Sequence, residues 1–345
     1  MGAFVTASNV LCAGGRGTAQ VMATVRAGIS RIGNSHLIDR RFDPIQMGLV
    51  PADVLEPLPP DLAHAPLPAP VRRMLQLAAP TLAGLADALP EGPVTLLLGL
   101  AHPGPAPEAW RSRYLTDLGL CAGIDVDQDK SRLFANGRAS SLMAMEAALT
   151  TLAQDPQATI VVGGVDTFFD LRRIAELDAE NRILGPKVMD GFIPGEGAGF
   201  LVLKGIPDAA GSCTEILGAA SVTDPGHRYG SEPAKGEGLA RALDKLRASA
   251  AGEPGQVGAS WSGFNGEHFE AKLWGVARLR HSDFFAPDAV LQHPADCIGD
   301  SGAGAGAILG ALADWSLRKN LREGPALVWC ASDHGECACA LLRRV

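Results

Sequence analysis

Two adjacent serines, Ser140 and Ser141, open a segment of helical periodicity, and a hydroxyl at a helix start becomes a nucleophile when a base removes its proton. His334 or His268 could serve as that base and Asp300 as the acid that orients it, a set suited to acyl transfer or hydrolysis. No Gly-x-Ser-x-Gly element surrounds the serines, and their simpler reading is as N-caps of the helix they begin. Cys337 and Cys339 would share one face of a strand with His334 nearby, but two thiols and an imidazole fall short of a metal set. They read as buried small hydrophobes, and neither a metal nor a cofactor is expected. Gly195-Glu-Gly197 reads as turn geometry, because no helix follows to offer a phosphate its N-terminus.

Apolar residues make up 47% of the 345 and charged ones 20%, which suits a globular chain with a sizeable core. The net charge of −8 and the absence of basic clusters interleaved with aromatics argue against nucleic acid as a partner. Seven scattered cysteines, an odd number, read as reduced thiols in a cytoplasmic protein. The N-terminus lacks the charged and apolar regions of a signal peptide, and no run approaches a membrane span.

The elements that would position these residues follow from periodicity. A strand is expected at Ala3–Thr6, a helix from Thr18 to about Ala27 and another from Arg72 to Leu89. Residues 51–70 hold seven prolines and read as a loop. Val94–Leu100 is a continuous apolar run, the mark of a strand buried on both faces. Ser140–Leu152 carries Leu142, Met145, Leu149 and Leu152 on one stripe of a helix, and Ala158–Gly163 follows as a buried strand. Gly199–Leu203 is the next strand. The C-terminal part repeats this order, with a helix over Gly302–Trp315 and strands at Ala326–Trp329 and Cys337–Leu342. So Gly- and Ala-rich a helix is stable only when buried between layers. The repetition suggests a duplicated α/β unit.

Asp190-Gly-Phe-Ile-Pro-Gly-Glu-Gly-Ala-Gly199 places Gly191, Gly195, Glu196, Gly197 and Gly199 ahead of the apolar Phe-Leu-Val-Leu203, as a tight turn feeding a buried strand. The run resembles the Asp-Gly-Phe-x-x-Gly-Glu-Gly-Ala-Gly signature of β-ketoacyl-ACP synthases. Gly163-Gly164, closing a buried strand, and Ile298–Leu309 fit the same family. The resemblance implies α/β architecture of the thiolase fold, with two duplicated halves in a five-layer α-β-α-β-α arrangement. Those halves would be residues 1–205 and 206–345. It also implies a dimer built on the strand that ends near Gly163, either a homodimer or a heterodimer with a thiolase-fold partner.

The family's nucleophile is a cysteine at the start of the helix before the Gly-Gly strand, where helix-end amides lower a thiol pKa. Counting back from Gly163-Gly164 places Arg138 there, with Ser140 on the serine of the family's Cys-x-Ser pattern. A catalytic histidine in a Gly-His-x-x-Gly-Ala-Ala-Gly segment falls on Asp300, and an upstream lysine on Ala295. The segment that supplies the other histidine reads Trp261-Ser-Gly-Phe-Asn-Gly-Glu-His-Phe-Glu-Ala271, with His268 nearer the helix than the catalytic position. The closing Gly-Phe-Gly-Gly-x-Asn turn is matched loosely by Ser332–Cys337. An arginine cannot attack a thioester, so the resemblance implies a ketosynthase-like pseudoenzyme. A buried Arg138 needs a counter-charge and would pair with Asp300, Glu267 or Glu336. The chain is expected to bind an active ketosynthase, an acyl carrier protein or an effector bound for type VI secretion. An acyltransferase or hydrolase with the rebuilt Ser/His/Asp site is the alternative.

Overall fold

The computed structural model describes residues 2–104, 108–207, 213–252, 255–322 and 324–345. Its main sheet has eleven strands, ten of them along one hydrogen-bonded path. In chain order these are β1 (Ala3–Cys12), β2 (Thr95–Gly99), β3 (Arg132–Phe134), β4 (Thr159–Thr167) and β5 (Glu196–Lys204), then β6 (Thr214–Thr223), β7 (Val257–Ser262), β8 (Phe285–Gln292), β9 (Ala326–Ala331) and β10 (Glu336–Arg344). The path runs β8-β7-β9-β10-β6-β1-β5-β4-β2-β3. From each outer edge inward the pairings are parallel, parallel, antiparallel, antiparallel, so one topology occurs twice. The copies meet where Ala3–Val5 pairs with Thr214–Ile216.

Helices α1 (Ser140–Gln154) and α2 (Ala305–Arg318) pack against strands of both copies and so lie between them. Their apolar side chains, among them Leu142, Met145, Ile308 and Leu312, form the central core with Val162, Leu201 and Val328. Helix Ala69–Ala83 covers the outer face of the first copy through Leu75 and Leu82, and helix Gly238–Ser249 covers that of the second through Leu243 and Leu246. Two helix layers outside, the two halves of the sheet and one helix layer between those halves give the five-layer thiolase arrangement.

Spacing in the middle layers explains the glycine-rich run, and not as a turn. None of Gly191, Gly195, Gly197 or Gly199 has positive φ, and β5 already begins at Glu196. A Cβ at Gly199 would stand 2.7 Å from the backbone N of Ile308 in α2, and one at Gly197 would stand 2.9 Å from both Cys12 Cβ and Ile308 Cδ1. A Cβ at Gly164 would reach 2.3 Å from the Ala303 carbonyl oxygen. The glycines therefore let strand and helix backbones touch. Gly199→Ala should lower unfolding stability by about 1–3 kcal/mol through overpacking, read by chemical denaturation.

Other expectations shift as well. The helix expected over Arg72–Leu89 runs Ala69–Ala83, opening with Pro70 in its first turn, and the N-terminal strand extends to Cys12. Within residues 51–68 only short helical pieces form, at Ala52–Val54 and Pro60–Ala63, and residues 69–70 already belong to helix Ala69–Ala83. The strand ending near Gly163 cannot carry a dimer edge, because β4 is paired with β2 on one side and β5 on the other. Cys337 and Cys339 lie buried in the apolar layer under helix Gly238–Ser249, where burial pushes the Cys337 thiol up to about 12.

Candidate functional site

The site forms where α1 begins. Leu100 ends the apolar run of β2, and its carbonyl accepts from Gly137 N; Gly137 then turns the chain with φ 68. Arg138 follows in a single 3-10 turn, Gly137–Ala139, and Ser140 starts the helix. Ser332 on the loop between β9 and β10 clamps this turn, accepting from Ala139 N at 2.9 Å and donating to the Asn136 carbonyl at 2.5 Å.

Ser140 and Ser141 are not caps. The N-cap position is Ala139 and no side chain caps the helix. Ser140 Oγ donates to the Leu100 and Gly137 carbonyls, and Ser141 Oγ to the Ala303 carbonyl, so both hydroxyls are spent inside the core. His268 is on the surface, 85% exposed and paired with Asp190, whereas His334 packs 4.2 Å from the ring of His102. Among the described residues no serine–histidine hydrogen bond joins these groups, and the Ser/His/Asp constellation is not assembled.

What fills the position is charge. Arg138 is buried, with Nε 2.7 Å and Nη2 2.5 Å from Asp300 Oδ2, and Nη1 3.1 Å from Asp333 Oδ2. Its guanidinium lies 5.2 Å from the centroid of Phe192. Asp300 is held in turn by Gly302 N at 2.8 Å and Asn265 Nδ2 at 3.0 Å. Arg182 forms a second layer, bidentate to Glu267 at 2.8 Å for both bonds, with Nη2 2.9 Å from Asp333 Oδ1. Arg228 adds contacts of 3.0 Å to Glu267 and 3.3 Å to Asp333. Three arginines thus face Asp300, Asp333 and Glu267, a balanced set.

The ionisation states follow. Burial alone would raise the Asp333 pKa, yet Arg138 and Arg182 hold it well below the usual carboxylate range. Burial alone would lower that of Arg138, and Asp300 and Asp333 more than reverse it. Glu270, in the first turn of helix His268–Arg280, is different: burial pushes it up to about 8 against the pull of Arg138, and its Oε2 accepts from Asn265 N at 2.8 Å.

Of the counter-charges expected for Arg138, Asp300 is the one used. Glu267 belongs to Arg182, and Glu336 is bonded to His102 at 3.1 Å and to Asn136 at 3.2 Å. Sequence reasoning did not find Arg182, Arg228 or Asp333, which lie on loops brought together only by the fold, nor Glu270 in the first turn of helix His268–Arg280. The adjacency of Asp333 to His334 in the closing turn was the one available signal. Nor did it find the role of Glu196, fully buried at the start of β5. Glu196 accepts two bonds of 2.6 Å from Arg73, one from Val50 N at 2.8 Å and one from Thr167 Oγ1 at 2.7 Å, tying helix Ala69–Ala83 to the sheet. Arg138 lines a cleft of about 680 Å³ together with Val71, Met74, Trp110, Phe168, His102 and His334. That is the size of a small-molecule site.

Residues 137–209, beginning one position before Arg138, match the family described as "Beta-ketoacyl synthase, N-terminal domain". The chain is ketosynthase-like. Its fold is shared with the ishigamide ketosynthase/chain length factor (TM-score 0.73, 18% identity, 99% of each chain covered). It is shared also with AntDE:AntF, a type II acyl-carrier protein in complex with its ketosynthase bound to the hexaketide (TM-score 0.77, 17% identity, 99% of each chain). A third solved relative is the ketosynthase ApeO with its chain length factor ApeC from Xenorhabdus doucetiae (TM-score 0.77, 14% identity, 100% of this chain and 98% of that one). No curated protein matches the sequence. In this ketosynthase-like chain no described helix is long and apolar enough to cross a membrane, and no cluster of histidine, cysteine or carboxylate side chains among the described residues is arranged to hold a metal.

Proposed function

We propose that this ketosynthase-like chain does not condense acyl units and acts as a partner subunit, engaging a thiolase-fold ketosynthase and an acyl carrier protein. The observation that carries the reading is Arg138. At the head of the helix that leads to Gly163-Gly164, where the family places its thiol, stands a protonated guanidinium closed in by Asp300 and Asp333. It has no lone pair to offer a thioester, and the hydroxyls of Ser140 and Ser141 are bonded to backbone carbonyls. Solved relatives support the partner role, being described as a ketosynthase with its chain length factor and as a carrier protein in complex with its ketosynthase. Nothing in the site favours a secretion effector as the cargo.

Light scattering on mixtures tests this. With a ketosynthase from the same organism, a stable complex of one copy of each is expected, and a carrier protein should bind that complex. Absence of binding to both proteins would remove the reading.

A further inference from the structure

His102 follows Leu100, whose carbonyl anchors Gly137, and Arg111 Nη2 fixes the chain there by donating to the Ala101 carbonyl at 2.9 Å. Its ring meets a carboxylate from the second copy of the topology: Nε2 is 3.1 Å from Oε2 of Glu336, the first residue of β10. Burial would raise the Glu336 carboxyl, but the bonds from His102 and from Asn136 Nδ2 hold it below its ordinary value. An ionised carboxylate only accepts, so a neutral His102 donates from Nε2 and keeps its lone pair on Nδ1. That nitrogen has no hydrogen-bond partner among the described residues, and the side chain is 25% exposed where it lines the cleft. The pair is the base and the orienting acid of a hydrolytic site, without the serine. His334 packs its ring 4.2 Å from that of His102, and burial together with the nearness of His102 lowers its pKa, so it adds no second charge at neutral pH.

A base that acts through water reaches an activated acyl carbon, such as a thioester whose thiol leaves readily, far sooner than an amide. The cleft offers Val71, Met74, Leu100, Trp110 and Phe168 to an apolar chain, and its five arginines and six carboxylates nearly cancel, which suits an uncharged acyl group better than an ion. We propose that His102, oriented by Glu336, is the general base for hydrolysis of apolar acyl thioesters held in this cleft. Water adds its oxygen to the acyl carbon while His102 Nδ1 takes the proton, and Glu336 steadies the imidazolium. The C–S bond then breaks and the departing thiolate takes that proton back. The products are a carboxylic acid and a free thiol, and no acyl group stays on the chain. This activity goes beyond the partner reading and does not depend on it.

The test incubates the full chain alone with octanoyl-N-acetylcysteamine and follows released octanoate by mass spectrometry. Release at least about 100-fold faster than in buffer is expected, with a rate that falls as pH drops through the imidazole range, from about 7 to about 5. His102→Gln should bring the rate to within about threefold of buffer. Glu336→Gln, which can still accept from Asn136, should lower kcat about tenfold or more with KM unchanged, a split that a merely structural role would not give. Should His102→Gln fail to fold, as judged by circular dichroism, the Glu336→Gln split decides. Octanoate release by the unaltered chain no faster than in buffer overturns the inference, and so does a rate untouched by His102→Gln or an octanoyl adduct on the chain. Each of these leaves the partner reading standing, because that reading is decided by binding.

Discussion

Replacing Arg138 by methionine should lower the unfolding free energy by about 3–5 kcal/mol, because it leaves Asp300 buried with its main counter-charge gone. The geometry fixes why the loss is large. Asp300 and Arg138 are both nearly inaccessible, and Asp300 would retain only the neutral donors Gly302 N and Asn265 Nδ2. Asp333 would still be held by Arg182 and Arg228. The double variant Arg138→Met, Asp300→Asn removes both charges at once and should recover most of the stability, since the neutral amide leaves no unpaired charge buried. Lysine at 138 should not rescue, because one ammonium cannot span Asp300 and Asp333 as the guanidinium does. Urea unfolding of the four proteins reads this directly. A single-variant loss below about 1 kcal/mol, the range of an exposed pair, would show that the network is not the closed charge cluster described.

The second large effect concerns pH. Glu270 ordinarily titrates at 4.5, but in the folded chain it is pushed up to about 8 by burial, with Asp300 and Glu267 opposing its charge and Arg138 favouring it. Above pH 4.5 the unfolded chain therefore releases a proton that the folded chain keeps. Stability falls as pH rises from about 4.5 to about 8 and levels off beyond. Glu270→Gln keeps an acceptor for Asn265 N and has no charge to bury. It should remove this slope and stabilise the chain above pH 8 by an amount on the order of 4 kcal/mol. Asp333 acts at the other end. Its pKa is depressed, so its contribution is complete above the ordinary aspartate value and is lost as pH falls below it. An identical slope between pH 5 and 8 in wild type and Glu270→Gln would rule out a buried proton on this carboxyl.

How much of this was readable in the chain depends on sequence distance. The run from Asp190 to Gly199 announced the fold because close packing of β5 on α2 admits only glycine at several positions. Its cause was misread, since the same glycines look like a turn when the partner helix is out of sight. The Arg138–Asp300 pair was legible because each residue occupies a recognisable motif position 162 residues from the other. Arg182, Arg228 and Asp333 were not, because each comes from an irregular loop with no periodicity to mark it. β6, with its sequence TEILGAASVT, and helix His268–Arg280, with polar residues on every side, carry weak patterns because neighbours on both faces determine their burial.

Intact-mass measurement of the chain after incubation with malonyl and longer acyl carrier-protein thioesters tests the central claim most directly. A guanidinium at the head of α1 and two hydroxyls bonded to backbone carbonyls predict an unchanged mass with every donor, and the same unchanged mass for Ser140→Ala. An acyl adduct that appears on the unaltered chain and maps to Ser140, Ser141 or a cysteine would contradict it.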